Sequence, residues 1–380
     1  MWYGKDFKIG VLGGGQLGRM LAQAAVDFDI QIAAMDNTAE APSSTIVHEY
    51  VQGNIKDFDA VYAFGQGKDV ITVEIEHVNT EALKKLASEG VKVFPQPDIL
   101  EMIQDKGLQK QFYEQNNIPT APYKLIENKS DLKDHLDFLP FFQKLRKGGY
   151  DGKGVYNVSG EIAIQKAFDA PSVLEKYIDF QQELSVIVAR NEAGQVKSYP
   201  LVACEFSKEL NLVEFLYSPA GVSADIEEAA RKIGEDIINK LGMVGILAVE
   251  LFLTKEGDLL VNEIAPRTHN SGHHTIESNS TSQFEQQLRA ITNQNLGATA
   301  IVQPGVMVNL IGAENNYGKP HYSGLEEVLK KDGVHPHIYG KSETKPGRKM
   351  GHITITADTI ENAKEKAREV QQLVKVLGTD

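Results

Sequence analysis

The stretch that most restricts this chain is the fifteen-residue segment Val249-Glu-Leu-Phe-Leu-Thr-Lys-Glu-Gly-Asp-Leu-Leu-Val-Asn-Glu263. Two apolar runs flank Glu256-Gly257, a turn dipeptide, so the segment predicts a β-hairpin with a two-residue turn. In that register Glu250 stands directly opposite Glu263. Opposed Cβ atoms of an antiparallel pair lie roughly 4.5 to 5.5 Å apart, where two carboxylates repel each other. Unpaired acids on otherwise apolar strands are costly, and a cation between them removes the conflict. Oxygen ligands without clustered Cys or His favour magnesium or manganese over zinc. The competing reading turns one glutamate to solvent or pairs it with a lysine.

Two glycine-rich loops precede this hairpin. The first, Gly13-Gly-Gly-Gln-Leu-Gly18, follows the apolar run Phe7 to Leu12 and opens a helical pattern of Leu17, Met20, Leu21, Ala24, Ala25 and Phe28. It fits G-x-G-x-x-G literally, and Asp36 ends the next predicted strand, where a dinucleotide fold places its ribose-binding acid. A nicotinamide or flavin site, a sugar-phosphate site and a tight turn with no ligand all fit, since glycines let backbone N–H groups and a helix N-terminus approach any anion. The second loop, Lys147-Gly-Gly-Tyr-Asp-Gly-Lys-Gly154, is bracketed by predicted strands, with Lys144 on the first of them. It is no Walker loop, because its lysine lies between glycines and no Ser or Thr follows. A glycine hairpin carrying lysines suits a cover folded over a nucleotide triphosphate.

Further along, Ala265-Pro-Arg-Thr-His-Asn-Ser-Gly-His-His274 packs polar groups behind the acidic strand. His269 and His273 have a metal-like spacing, but Ser271 and Gly272 argue against a helix, so hydrogen bonding is expected there rather than ligation. Arg267 is the candidate for an oxyanion. The turn from Tyr339 to His352 gathers Lys341, Lys345, Arg348 and Lys349 in a chain of net charge −13. A solvated basic turn and a phosphate site both account for it.

That acidic balance argues against a nucleic-acid partner. The longest apolar runs fall short of a membrane span, and the charged N-terminus lacks the apolar core of a signal peptide. One cysteine, Cys204, excludes an internal disulfide framework and suits a reducing compartment. A cytoplasmic protein is expected. At 380 residues the chain should divide into several packed units. Alternation of strand and helix over residues 1–100 predicts a parallel α/β domain. Residues 101–190 read as a helical linker followed by a small α+β lid. Residues 191–305 form a larger antiparallel-looking unit, and 306–380 a tail with strands at Val306 to Ile311 and Gly351 to Thr356 and a final helix.

Taken together, Gly13-Gly-Gly-Gln-Leu-Gly-Arg-Met20, Glu74-Ile-Glu-His77, Gly148 to Gly154, Asn262-Glu-Ile-Ala-Pro-Arg267, His269-Asn-Ser-Gly-His273 and Pro346-Gly-Arg-Lys-Met-Gly-His352 resemble the 5-(carboxyamino)imidazole ribonucleotide synthases. The resemblance runs over almost the whole chain in order. It implies an ATP-grasp fold with an N-terminal Rossmann-like (pre-ATP-grasp) domain, a small lid and a C-terminal domain. It also implies a homodimer and an ATP-dependent ligase of purine biosynthesis that carboxylates 5-aminoimidazole ribonucleotide with bicarbonate through carboxyphosphate. By the same resemblance Lys106, Lys144, the loop of Gly148, Gly149, Tyr150, Asp151, Gly152, Lys153 and Gly154, the strand Glu175, Lys176, Tyr177 and Ile178, and Glu183, Asn262 and Glu263 would hold ATP. Glu250 and Glu263 would hold magnesium. Gln16, Leu17, Glu74, Asn270, Lys341, Arg348 and Lys349 would hold the ribonucleotide. Arg267 and His269 would face carboxyphosphate, while Tyr150 and Asp151 close over the amine. Lys106 stands where the family carries arginine, and Cys204-Glu-Phe206 where it carries Asn and His. A formate-using glycinamide ribonucleotide transformylase shares this layout, but the His-Asn-Ser-Gly-His loop favours the first reading. A dinucleotide oxidoreductase leaves the glutamate pair and the second glycine loop unexplained.

Overall fold

The computed structural model describes residues 1–149, 154–207 and 212–379. Its first unit is a parallel sheet in the order β3-β2-β1-β4-β5, built from β1 (Gly4–Leu12), β2 (Ile30–Asp36), β3 (Glu49–Gln52), β4 (Val70–Val73) and β5 (Lys92–Val93). Helices α1 (Gln16–Val26), α2 (Phe58–Gly65) and α3 (Thr80–Ser88) cover it. Because both faces are covered, the central strands read as unbroken apolar runs, and Ile9, Val11 and Leu12 are fully buried. The order reverses between β1 and β4. The loops leaving those two strands, Gly13–Gly18 and Glu74–His77, therefore flank the crevice at the switch point, where open α/β sheets bind ligands.

The helical pattern from Ile99 to Asn117 divides into α4 (Pro97–Ile103) and α5 (Lys106–Gln115). Asp105 causes the break, since its side chain caps α5 by accepting the Gly107 and Leu108 amides. Both of its oxygens also meet the Arg146 guanidinium at 2.9 Å. The lid follows as an antiparallel sheet β6-β9-β7-β8, of β6 (Tyr123–Ile126), β7 (Phe141–Leu145), β8 (Val155–Val158) and β9 (Ser172–Lys176). Between β8 and β9 the chain forms a short 3-10 helix, Glu161–Lys166.

The large sheet runs β15-β14-β10-β12-β13-β16-β19-β18, the last two being Lys349–Thr356 and Val334–Ile338, with β11 paired to β10. Its strands are β10 (Phe180–Arg190), β11 (Val196–Ser198), β12 (Val202–Ser207), β13 (Leu212–Ser218), β14 (Gly245–Thr254), β15 (Leu259–Ala265) and β16 (Gly305–Ile311). A strand pattern over Val196 to Ala203 divides into β11 and β12 around Pro200, which has no amide to give the ladder. Helix α6 (Ala224–Leu241) lies so close on β10 that a Cβ at Gly234 would stand 2.7 Å from a Val188 methyl. Short α7 (Thr275–Ser278) and α8 (Gln283–Ile291) follow the acidic strand.

The tail adds β17 (Lys319–Ser323), α9 (Leu325–Val328), β18 (Val334–Ile338), β19 (Lys349–Thr356), α10 (Ile360–Leu373) and β20 (Lys375–Thr379). β16 pairs with β13, so one sheet continues across residue 305. One apolar core likewise joins Val186, Val249 and Val261 to Val308, Ile353 and Val370. The basic turn before β19 is thereby built onto the same sheet and core as the acidic hairpin. Among the described residues no helix is long and apolar enough to cross a membrane.

Candidate active site

The hairpin forms, with a correction to its register. Its loop is three residues, Lys255 to Gly257, closed by Thr254 N–H donating to Asp258 and with Gly257 in the left-handed region at φ 93°. The extra residue is absorbed by a β-bulge. Leu251 pairs with Val261 and Val249 with Ile264, so Asn262 and Glu263 together oppose Glu250. Glu250 is therefore not paired one-to-one with Glu263, and the bulge also turns Asn262 into the site. The Asn262 amide donates to Glu250 at 3.4 Å, and its carbonyl oxygen accepts from Lys144 Nζ at 3.2 Å.

Three cations from two elements, α5 and β7, face the acids of this region. Lys106, the first residue of α5, reaches Glu263 at 2.9 Å. Lys144 on β7 donates to Glu175 on β9 at 2.8 Å, and Lys110, one turn after Lys106, sits 2.6 Å from the other Glu175 oxygen. Both Lys110 and Glu175 are almost fully buried. Burial works against the charge on each acid, yet Lys106 and Lys144 hold Glu263 well below the usual carboxylate range, and Lys144 and Lys110 hold Glu175 below it. Glu250 moves the other way, raised by burial and then by the Glu263 and Glu183 charges. Glu183 on β10 is raised too, by burial and by Glu263. A half-buried carboxylate pair whose members oppose each other's ionisation, joined by an amide oxygen, is a hard-oxygen donor set that fits a divalent magnesium-like ion.

His269 lies 3.6 Å from Glu250 through Nε2, while the Ser271 amide donates to its Nδ1 at 3.3 Å, so the proton rests on Nε2. Burial, and then Arg267 and Lys349, push its pKa down to about 3, leaving the ring neutral. Arg267 forms an ion pair with Glu76 at 2.8 Å. This contact ties the end of β15 to the loop after β4. In that loop Glu74 accepts from the Gly15 and Leu17 amides of the first glycine turn, the donors that a dinucleotide pyrophosphate would need. Burial raises Glu74 to about 7 despite those two bonds. Asp36 is likewise engaged with the Gly14 and Thr38 amides.

The chain is 36% identical to the N5-carboxyaminoimidazole ribonucleotide synthase of Bacillus subtilis (strain 168), covering 91% of this chain and 90% of the relative. The chain belongs to the N5-carboxyaminoimidazole ribonucleotide synthase family. Family models for a ribonucleotide synthetase preATP-grasp domain, an ATP-grasp domain and a phosphoribosylaminoimidazole carboxylase C-terminal domain match residues 7–104, 111–284 and 305–366. The crystal structure of N5-carboxyaminoimidazole ribonucleotide synthetase from Thermotoga maritima superposes with a TM-score of 0.91 at 41% identity, covering 98% of this chain and all of the other. The Aspergillus clavatus N5-carboxyaminoimidazole synthase, solved with ADP and 5-aminoimidazole ribonucleotide, gives a TM-score of 0.88 at 33% identity and covers 98% and 99% of the two chains.

Against the pattern of this synthase family, the remaining expected residues take these places. Gln16 opens α1 beside Leu17 at the crevice. Asn270 opens a 3-10 turn, Asn270–Gly272, which replaces the loop expected at Ser271 and Gly272. Lys341 donates to the Lys349 carbonyl at 2.6 Å and Arg348 to the Glu343 carbonyl at 2.7 Å, shaping the basic turn. On the nucleotide side, Tyr177 packs at a tilt against Phe142, and Ile178 is half-buried. The Lys176 ammonium is spent on the Phe138 and Leu139 carbonyls, which turns it toward the lid interior. Gly148 and Gly154 both have positive φ, and Gly149 lies between them in sequence. Tyr150, Asp151, Gly152 and Lys153 lie outside the described residues. Sequence reasoning missed Lys110, Glu76, the Asp105–Arg146 clamp and Gln283. Lys110 did leave a signal: it shares a helix face with Lys106, a like-charge spacing that is unfavourable unless acids face it.

Proposed function

We propose that this chain carboxylates 5-aminoimidazole ribonucleotide with bicarbonate at the cost of ATP. The observation that carries this reading is the Arg267–Glu76 ion pair. It joins the strand bearing Glu263 to the loop bearing Glu74, which supports reading an ATP-cleaving centre beside a ribonucleotide crevice. In this reading Lys106, Lys144, the 148–154 loop, residues 175–178, Glu183 and Asn262 hold ATP. Gln16, Leu17, Glu74, Asn270, Lys341, Arg348 and Lys349 hold the ribonucleotide, the basic side chains of the 341–349 turn meeting its phosphate. Glu250 and Glu263 would hold magnesium or manganese, which when bound supplies positive charge against the nucleotide phosphates.

Chemically, a bicarbonate oxygen attacks the γ-phosphorus and ADP leaves, giving carboxyphosphate. The ribonucleotide amine then attacks the carboxyl carbon, phosphate departs, and the nitrogen loses a proton. Lys106 and Lys144 give up their carboxylate partners to neutralise the transferring phosphoryl group, so most of the work is positioning and electrostatics. Arg267 faces the anionic intermediate. His269, neutral with its proton on Nε2, offers a hydrogen bond without repelling the bicarbonate's counter-charges. Exclusion of water from this centre preserves the intermediate until the amine attacks. ADP release, measured with each co-substrate omitted in turn, tests the proposal. Release should require both bicarbonate and the aminoimidazole ribonucleotide. Release driven by formate and glycinamide ribonucleotide instead would overturn it.

A further inference from the structure

Behind the candidate centre lies a column of histidine rings that no catalytic step uses. His273, two residues past the 3-10 turn's centre, packs at a tilt of 30° against His352 of β19 with ring centroids 4.7 Å apart. His352 stacks in turn on His337 of β18 at 4.4 Å and an interplanar angle of 11°. The edges of the column are pinned. The Tyr339 hydroxyl is 2.9 Å from His352 Nδ1, His337 Nε2 meets the Glu277 carboxylate at 2.7 Å, and Gln283 donates to His273 Nδ1 at 3.1 Å. His273 and His352 are at most 1% exposed. Burial pushes both well below the ordinary histidine range, so these two rings are neutral.

The column's position in the chain gives it a purpose. Gln283 also brackets His269, accepting its amide proton and donating to its carbonyl, both at 2.8 Å, so the same side chain fixes the His269–Asn270 loop and the first ring. At the other end His352 lies three residues after Lys349, and Tyr339 two residues before Lys341. The Tyr339 amide donates to the Met350 carbonyl at 3.1 Å, which locks the two flanks of the basic turn together. Flat rings with two χ angles and hydrogen-bonded edges fix orientation as well as separation. Aliphatic packing of the same volume would fix separation alone.

We propose that His273, His352, His337 and Tyr339 form a positioning joint that sets the distance and angle between the loop carrying Arg267, His269 and Asn270 and the turn carrying Lys341, Arg348 and Lys349. The joint thereby determines how the ribonucleotide's amine is aimed when its phosphate is held. This inference rests on the function proposed above. It assigns roles to residues that touch neither nucleotide nor ribonucleotide in that reading.

His337, the most exposed ring of the column, is the place to test it, by comparing His337→Ala with His337→Phe, which keeps the stacked ring and loses the Glu277 bond. Dissociation constants for ATP and for the ribonucleotide are measured separately by calorimetry, with melting temperature alongside. In His337→Ala the ribonucleotide should bind about tenfold more weakly, equivalent to roughly 1.4 kcal/mol, with ATP affinity changed less than about twofold. His337→Phe should recover most of that loss. Tyr339→Phe, which deletes only the hydroxyl contact to His352, should show the same selective loss and decides the matter if His337→Ala does not fold. Equal weakening of both ligands, identical effects of Ala and Phe, or no effect of any variant would overturn the joint. Absence of ribonucleotide binding by the unaltered protein would instead overturn the functional reading.

Discussion

Replacing Lys110 with Met tests the electrostatic logic of the nucleotide site at its most buried point. Lys110 and Glu175 side chains are 5% and 4% exposed and 2.6 Å apart, and Lys110 Nζ also donates to Thr120 Oγ1 at 2.6 Å. Removing one partner of a buried ion pair costs about 3 to 5 kcal/mol, because the other charge is left uncompensated. Here Lys144 still faces Glu175 at 2.8 Å. The loss should therefore sit near the lower end, about 3 kcal/mol, which lowers the melting temperature by roughly 5 to 10 °C in a unit of this size. Burial draws the Lys110 pKa down while Glu175 draws it up, the net direction being down. The pair is thus a compensation for burial rather than a surplus of attraction. Adding Glu175→Gln removes the half-compensated charge but leaves Lys144 only its Asn262 contact, so the double variant should lose less than the sum of the two single losses, with a coupling above about 1 kcal/mol. Differential scanning fluorimetry on the four proteins is sufficient. A Lys110→Met protein that melts within about 2 °C of the unaltered chain, or strictly additive losses, would refute the reasoning.

Three further outcomes are expected. Glu263→Gln should keep its fold and lose at least about a hundredfold in ADP formation, some 2.7 kcal/mol of barrier; near-normal turnover at limiting magnesium would exclude a metal role for the pair. Arg348→Ala should raise the ribonucleotide KM about ten- to a hundredfold with ATP affinity intact, and Lys144→Ala should do the reverse; loss of ATP binding in both would move the basic turn to the nucleotide site. His274, whose pKa burial pushes down to about 4, stays neutral in the fold but takes a proton near pH 6.5 once unfolded. Its contribution is therefore complete above about pH 6.5 and is lost as pH falls toward 4, by about 1.4 kcal/mol between pH 7.5 and 5.5. His274→Gln should lack that increment, and parallel pH–stability curves for the two proteins would contradict it.

The sequence by itself determined the elements whose signal is local. Period and glycine placement located the first βαβ unit, and the apolar runs around Glu256-Gly257 located the hairpin with its two acids. The acidic pair was legible because charge on an apolar strand has few inexpensive explanations. Its register was not. A three-residue loop and a bulge differ from a two-residue turn by one residue, and the choice depends on how Glu250, Asn262 and Glu263 pack against Lys106 and Lys144 from other elements. Likewise the helical pattern over Ile99 to Asn117 carried no sign of its break, because the Asp105 cap is fixed by Arg146, forty-one positions away. Lys106 reaches Glu263 through a contact between residues 157 positions apart. The continuity of the large sheet across residue 305, the Arg267–Glu76 bridge and the stacking of His273, His352 and His337 were likewise decided by tertiary structure alone. Each depends on segments tens to hundreds of residues apart, brought together by burial of a shared core that local pattern does not encode.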